Sequence, residues 1–144
     1  MAAIDFSKLR VVDLMSRDPA TLKRNDNLSL ADDVMRLGRI RHLPVVDDDD
    51  EHQLVGLVSQ RDLFRSSLAR ALGYGTAAQQ KLLGMLLVKE VMTNEVVTTT
   101  PDTSLVDAAR LMHQRKLGCL PVVEGERLVG ILTEGDFVAL VGKS

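Results

Sequence analysis

The chain of 144 residues is long enough for one compact domain or two very small ones, and too short for an enzyme with separate substrate and cofactor domains. Its composition, 45% hydrophobic and 26% charged residues, is typical of a folded globule and excludes a disordered chain. A net charge of −2 gives no overall positive field, so binding to nucleic acid or to an anionic membrane is disfavoured.

The first half of the chain predicts a helix, a hairpin and a second helix. Apolar residues at 34–37 lie on the first helix, and the short aliphatic runs 43–46 and 54–58 form the two strands of the hairpin. The polar segment 47–53 between these strands is typical of a hairpin loop, and the run 62–72 has the pattern of a helix.

The segment 69–87 separates the two halves and ends in an apolar stretch. This stretch predicts an additional helix that covers the core or makes a subunit contact, because its polar face has too few basic residues for a membrane surface. The longest apolar run, 82–88, is interrupted by Gly84 and is far shorter than a membrane span of about 20 residues. We therefore expect no membrane partner.

The second half shows the same order of elements with clearer signals. The β-branched run 95–99 predicts a strand, and the hydroxyl residues at 103–104 can cap the helix that follows. The aliphatic runs 119–123 and 127–133 predict a hairpin, and a last short helix begins near Glu134.

The two halves are copies of one another. A shift of 77 positions aligns 11–46 with 88–123 with ten identities, including the LPVV block, and a shift of 74 aligns 54–63 with 128–137 with four more. Each copy predicts a β-α-β-β-α unit, and a unit of about 55 residues is marginal alone. The sequence thus predicts an α/β fold of the α+β type, with two pseudo-twofold-related β-α-β-β-α repeats packed sheet to sheet.

One motif occurs at the equivalent place in both repeats, where the second hairpin strand ends. Ser59 and Asp62 in the first repeat correspond to Thr133 and Asp136 in the second. A hydroxyl residue followed three positions later by an acid is a capping box, and this structural role alone can account for the pattern. A carboxylate with two acceptor oxygens also matches a pair of vicinal hydroxyls, such as those of a ribose. The motif therefore indicates a nucleoside ligand as well as a helix start.

These repeats resemble a tandem pair of cystathionine-β-synthase (CBS) domains, the regulatory unit called a Bateman module. The resemblance rests on the doubled LPVV block and the two complete motifs, and it covers about residues 11–141. It implies a stand-alone CBS pair with repeat 1 at 11–68, a helical linker at 69–87 and repeat 2 at 88–141. It also implies that adenosine nucleotides or related molecules bind in the cleft between the repeats.

The resemblance implies two sets of nucleotide-binding residues. In each set the motif Asp holds the ribose, and backbone before the Leu-Pro strand faces the adenine. The first set combines Asp62 and Ser59 with Thr100, Leu117, Gly118 and Cys119. The second set combines Asp136 and Thr133 with Lys23, Ile40, Arg41 and His42.

The two sets differ in charge. Arg41 and His42 stand where related modules place a basic pair on phosphates, with Lys23 and Arg24 just after the first strand, so we expect that cleft to prefer a phosphorylated adenosine. The cleft with Gly118 and Cys119 is expected to take a less charged ligand or to stay empty. The alternative is that Arg41 and His42 are solvent-facing residues beside a strand.

Other groups of residues point less clearly to chemistry. The acidic run 47–51 with His52 lacks the alternate spacing of a calcium loop and is interpreted as a solvated hairpin tip. Cys119 and His113 have no further ligand at metal-binding spacing, and no nucleophile–base pair stands at a recognisable motif. We therefore expect neither a metal site nor an enzyme.

The prediction for function is a regulatory sensor of adenosine nucleotides. The expected ligand is AMP, ADP or ATP, with NADH and S-adenosylmethionine as further candidates, and no cofactor is expected. The expected partners are a second copy of the chain in a homodimer and an unidentified effector protein. The alternative is a structural dimerisation or docking module with no physiological small ligand. A cytoplasmic location is expected, because the single cysteine cannot form an intrachain disulfide and the N-terminal residues are charged.

Overall fold

The computed structural model describes residues 4–71 and 76–143, which form two compact units. Unit 1 comprises Met1–Pro19 and Val97–Ser144, and unit 2 comprises Ala20–Val96. The strands are β1 (Ser16–Arg17), β2 (Leu22–Lys23), β3 (His42–Val46), β4 (Leu54–Ser59), β5 (Cys119–Glu124) and β6 (Arg127–Thr133). The helices are α1 (Val11–Leu14), α2 (Leu28–Gly38), α3 (Gln60–Ala71), α4 (Thr76–Met85), α5 (Val88–Val91), α6 (Leu105–Arg115) and α7 (Glu134–Lys143), and a 3-10 turn spans Phe6–Lys8.

Unit 2 contains a three-stranded sheet in the order β2-β3-β4, in which β2 is parallel to β3 and β3 is antiparallel to β4. Helix α2 begins at the cap Asn27, whose side chain accepts a hydrogen bond from the Leu30 amide at 3.0 Å. Its buried residues Leu28, Ala31 and Met35 recur at helical spacing and pack in the core of this unit.

Unit 1 contains the corresponding sheet, with β6 between β1 and β5 and both pairs antiparallel. The strand predicted over 95–99 is wrong for most of its length, because pairing in the described residues is confined to Thr99. This residue donates to the Pro121 carbonyl at 3.0 Å and accepts from the Val123 amide at 2.9 Å. The predicted helix start near Glu134 is confirmed by α7.

The compact units are not the same as the continuous repeats read from the sequence. Residues before position 20 fold with the second repeat, because Ser16 and Arg17 pair with Ile131 and Gly130 of β6. In unit 2 the equivalent edge position is taken by Thr93, which exchanges hydrogen bonds with Leu57 at 2.9 and 3.1 Å. Each sheet is thus completed by residues near the start of the other repeat.

Helix α4 belongs to unit 2, where it packs against α2 and α3. Leu83 of α4 and Leu86, just after the helix, are buried in the same core cluster as Leu28 and Leu63. Leu63 of α3 is therefore a core residue. None of the described helices combines the length and apolar character that crossing a bilayer requires.

Candidate functional site

The motif of the first repeat forms a reciprocal capping box at the start of α3. The Ser59 amide donates to Asp62 Oδ2 at 2.8 Å, and the Asp62 amide donates to Ser59 Oγ at 3.1 Å. Both side chains are half-buried. The helix-capping role that the sequence allowed for this motif is therefore present.

In the second repeat the carboxylate of Asp136 is likewise held through Oδ2. The Thr133 amide donates to Asp136 Oδ2 at 2.8 Å, and the Thr133 hydroxyl lies 3.2 Å from the same oxygen. Among the residues that the structure describes, no donor reaches Oδ1 of Asp136 or of Asp62. Each carboxylate thus keeps one acceptor oxygen beyond those used for the helix start.

The two residues before each Leu-Pro pair lie next to the motif of the same unit. His42 is the Cα partner of Ser59, and Cys119 is the Cα partner of Thr133. The Gln60 amide donates to the Arg41 carbonyl at 2.8 Å, and the Glu134 amide donates to the Gly118 carbonyl at 3.1 Å. The helix that follows each motif therefore begins against the segment expected to face an adenine.

A left-handed residue sets the direction of each of these segments. Arg39 and Lys116 end α2 and α6 with φ of 53° and 54°. The next residues, Ile40 and Leu117, donate their amides to the Met35 and Met112 carbonyls at 3.0 and 2.9 Å. This is the Schellman arrangement, which reverses the chain immediately after a helix. The sequence prediction did not include these caps, because Arg and Lys are unusual at a left-handed position.

The expected site residues are divided between the units. Unit 2 holds Ile40, Arg41, His42, Lys23, Ser59 and Asp62, and unit 1 holds Thr100, Leu117, Gly118, Cys119, Thr133 and Asp136. Within each unit the structure brings the Leu-Pro segment to the capping box of that unit. The expected combination of an Asp from one repeat with the Leu-Pro segment of the other stays a prediction.

The basic residues of unit 2 differ in their partners. The Arg24 guanidinium forms an ion pair with Asp47, and its amide donates to Asp48 at 3.1 Å. In the described part of the chain, Arg41 and Lys23 form no ion pair, and both are exposed. Arg24 is therefore held by the acidic hairpin tip, whereas Arg41 and Lys23 can reach an anionic ligand.

The equivalent residues of unit 1 carry no positive charge. Thr100 is exposed, and its hydroxyl lies 2.8 Å from that of Thr103. Cys119 is buried, and burial together with the nearby Glu134 carboxylate raises the pKa of its thiol from 9.0 to about 12. This thiol is protonated at neutral pH, and Cys119 is a small, apolar, buried residue. The described residues contain no cluster of three or more potential metal ligands.

A glycine stands three residues before the hydroxyl residue of each motif, and the structure explains both of these motif glycines. A Cβ on Gly56 would meet the Met92 side chain and the Thr93 carbonyl oxygen. Gly130 faces the equivalent residues Met15 and Ser16. The chain's own backbone and methionine side chains therefore occupy the space beside both glycines.

These features define a tandem of two small α/β units, each with a capping box beside a Leu-Pro strand. The family model for the CBS domain matches residues 11–69 and 88–143. The chain belongs to the CBS domain family.

Several solved structures are similar to the whole pair. A putative acetoin utilization protein (AcuB) from Vibrio cholerae is 36% identical with a TM-score of 0.79, over 94% of this chain and 91% of that one. CBSX2, a CBS-pair protein from Arabidopsis thaliana solved in complex with AMP, is 30% identical with a TM-score of 0.75, over 93% and 96%. The CBS domain pair of MJ0100, in complex with 5′-methylthioadenosine and S-adenosyl-L-methionine, is 29% identical with a TM-score of 0.74, over 94% and 97%.

Three curated relatives are much longer than this chain, which spans 42%, 25% and 32% of their lengths. One of them is a homoserine O-acetyltransferase from Methanohalobium evestigatum, 32% identical over 94% of this chain. The similarity to that enzyme is therefore confined to a quarter of its length.

Proposed function

We propose that this CBS pair is a regulatory module that binds an adenosine nucleotide of the AMP, ADP or ATP type and acts on a partner protein. The observation that carries the proposal is the geometry of Asp62 and Asp136. Each carboxylate is held by its own helix start through Oδ2, is half-buried and keeps Oδ1 for a ligand hydroxyl. A fixed acceptor beside a second one is suited to the two hydroxyls of a ribose.

The similar structures support the choice of ligand. AMP is bound to CBSX2, and methylthioadenosine and S-adenosylmethionine are bound to MJ0100. All three molecules contain adenosine with both ribose hydroxyls, whereas they differ in charge at the 5′ position. The adenosine that these ligands share matches Asp62 and Asp136, the carboxylates that the two repeats share. S-adenosylmethionine and NADH remain candidates beside the nucleotides.

The proposed ligand-binding sets are those that the family resemblance implies. In this proposal Asp136 and Thr133 share a ligand with Lys23, Ile40, Arg41 and His42, and Asp62 and Ser59 share one with Thr100, Leu117, Gly118 and Cys119. The set with Asp136 contains the exposed cations Lys23 and Arg41 and is proposed to prefer a phosphorylated ligand.

Regulation follows from linkage. A ligand that binds only one arrangement of the module stabilises it by about 2.7 kcal/mol at a hundredfold excess over the dissociation constant. The proposed assembly is a homodimer with C2 symmetry, because apolar side chains such as Phe64 and Val138 are 61% and 72% exposed on α3 and α7. The proposed location is the cytoplasm. A catalytic role is not proposed.

A thermal-shift screen tests the proposal with AMP, ADP, ATP, NADH and S-adenosylmethionine. We expect at least one adenosine ligand to raise the melting temperature, and calorimetry to show at least tenfold weaker binding of that ligand to Asp136→Asn or Asp62→Asn. Asn keeps an acceptor for the capping amide and removes the charge, so the helix start is preserved. Glu126→Gln is a matched control on the β5–β6 turn. If no ligand binds, the alternative of a structural dimerisation or docking module stands instead.

A further inference from the structure

The first residue of the helix after each motif carries a different charge in the two units. In unit 2 this residue is Gln60, whose amide donates to the Arg41 carbonyl at 2.8 Å. In unit 1 it is Glu134, whose amide donates to the Gly118 carbonyl at 3.1 Å. The backbone arrangement is the same, whereas the formal charge of the two side chains is +1 in unit 2 and −1 in unit 1.

The Glu134 carboxylate acts on the segment that contains Gly118 and Cys119. Cys119 is the Cα partner of Thr133, the residue before Glu134. Burial raises the pKa of the Cys119 thiol and the Glu134 carboxylate raises it further, so this carboxylate is close enough to be felt there. Glu134 is exposed, and none of the ion pairs among the described residues includes it. Its negative charge is therefore available to act on a ligand.

The cations that suit a phosphate in unit 2 have no counterpart in unit 1. The repeat alignment places Thr100 at the position of Lys23 and Gly118 at the position of Arg41. A phosphate monoester carries a charge of about −1.5 to −2 at neutral pH. Beside Glu134 such a group is repelled with no cation to offset the repulsion, whereas a cationic group at the same place is attracted.

The remaining charges near the two junctions do not reverse this difference. Lys116 and its counterpart Arg39 are both cations at the left-handed cap, so they affect the two units alike. The next position after the junction residue is Arg61 in unit 2 and Gly135 in unit 1. This pair increases the difference, because it adds a further positive charge to unit 2 alone.

We infer that Glu134 is a specificity-determining residue, which excludes phosphorylated ligands from the site that contains Gly118 and Cys119 and selects adenosine compounds whose 5′ group is neutral or cationic. A thioether such as that of 5′-methylthioadenosine and a sulfonium such as that of S-adenosylmethionine satisfy this condition, whereas AMP, ADP and ATP do not. The inference rests on the proposed function, because it concerns one of the two proposed ligand sites. The chain then binds two chemical classes of adenosine compound, a phosphorylated one at the site with Arg41 and an unphosphorylated one at the site with Gly118.

Backbone amide resonances test the inference at each site separately. A ¹⁵N-labelled chain is titrated with AMP, 5′-methylthioadenosine or S-adenosylmethionine at low ionic strength. The Gly118 amide reports the site that Glu134 is inferred to control, and the Arg41 amide reports the other site in the same spectra. In the wild type we expect 5′-methylthioadenosine to bind at the Gly118 site at least tenfold more tightly than AMP.

Glu134→Gln supplies the residue that unit 2 has at the equivalent position. At the Gly118 site this variant is expected to tighten AMP binding at least tenfold, to weaken S-adenosylmethionine binding severalfold and to leave 5′-methylthioadenosine unchanged. The unchanged affinity for the neutral ligand shows that the variant is folded. Glu124→Gln, with the same change of charge at the exposed end of β5, is the control and is expected to change none of the three.

Salt dependence separates a charge effect from a packing effect. Because ions screen the repulsion between the carboxylate and a phosphate, the gain in AMP affinity is expected to shrink between about 0.01 M and about 1 M salt. A gain that came from repacking at the start of α7 would not follow the ionic strength in this way.

Two results overturn the inference. One is AMP binding at the Gly118 site of the wild type as tightly as 5′-methylthioadenosine, or the absence of any ligand-induced shift of Gly118. The other is an affinity for AMP that Glu134→Gln leaves unchanged or that Glu124→Gln raises equally. Because the Arg41 amide and the thermal-shift screen still report whether an adenosine ligand binds elsewhere, failure of this inference and failure of the sensor function are distinguishable.

Discussion

Gly130 lies directly against Ser16, so that a Cβ added to the glycine would be 2.8 Å from the serine carbonyl oxygen. This contact joins β6 to the first residues of the first repeat. It explains why a glycine interrupts an otherwise aliphatic strand, since only a residue without a side chain permits the approach.

The contact predicts a difference between the two motif glycines. Gly130→Ala is expected to lower the free energy of unfolding by about 1–3 kcal/mol, because the backbone of β1 must move. Gly56→Ala is expected to cost less, because its closest neighbour is the Met92 sulfur at 2.6 Å, which can rotate away, and the Thr93 carbonyl oxygen is at 3.1 Å. Urea unfolding of both variants measures the difference.

Gly142→Ala is the control for this pair, because it lies in α7 with open space around its added Cβ. We expect this variant to gain about 0.5–1 kcal/mol from the better helix propensity of Ala. Equal destabilisation by Gly130→Ala and Gly142→Ala would contradict a specific contact with Ser16.

The edge segments also show what the sequence could and could not predict. Local patterns predicted the hairpins, the helix start near Glu134 and the cap Ser104, which accepts from the Asp107 amide at 3.0 Å. They could not predict which strand Met15 and Ser16 would join, because Met92 and Thr93 are their copies and either segment matches either glycine. Pairing between the two repeats joins residues that are far apart in sequence. Because the repeats are similar to each other, the local sequence does not specify which of the two segments pairs with which strand.

Prediction of the candidate site from the sequence was limited in the same way. The capping boxes follow from residue types at a spacing of three, so the sequence was sufficient to predict them. The ion pair between Arg24 and Asp47 joins residues 23 positions apart, and no periodic pattern marks it. It removes Arg24 from the basic residues that are available to a ligand.

The left-handed caps lead to a prediction of added stability. Lys116→Gly is expected to raise the free energy of unfolding by about 0.5–1 kcal/mol, because φ of 54° is unfavourable for a residue with a Cβ. Arg115→Gly, one position earlier within α6, is the control and is expected to lower it by about 1 kcal/mol. Thermal or urea unfolding separates the two, and a loss of stability in Lys116→Gly would show that its side chain outweighs the backbone strain.

The charge difference between the units predicts the effect of removing Arg41. Arg41→Ala is expected to weaken the binding of AMP and ATP at least tenfold, and to affect adenosine little, because the guanidinium is proposed to contact phosphate only. Calorimetric titration with the three ligands measures this. Arg115→Ala, an exposed arginine of unit 1, is the control. Unchanged affinity for both nucleotides would assign Arg41 to the solvent-facing role.

Cys119 predicts a specific loss of stability at alkaline pH. Its pKa is raised from 9.0 to about 12 in the folded chain, mainly by burial, so below pH 9 the thiol is protonated in both the folded and the unfolded state. Above pH 9 only the unfolded chain releases the proton, and unfolding becomes easier by about 1.4 kcal/mol for each pH unit up to about 12.

Urea unfolding of the wild type and Cys119→Ala at pH 8 and pH 10 isolates this contribution, because the two chains share every other titrating group. The difference in free energy of unfolding between wild type and variant is expected to fall by about 1.4 kcal/mol between the two pH values. In the native state at pH 8 the thiol is expected to resist alkylation by iodoacetamide, since thiolate is the reactive form. A difference that stays constant from pH 8 to pH 10, together with rapid alkylation, would place Cys119 in contact with water and contradict its burial in the folded chain.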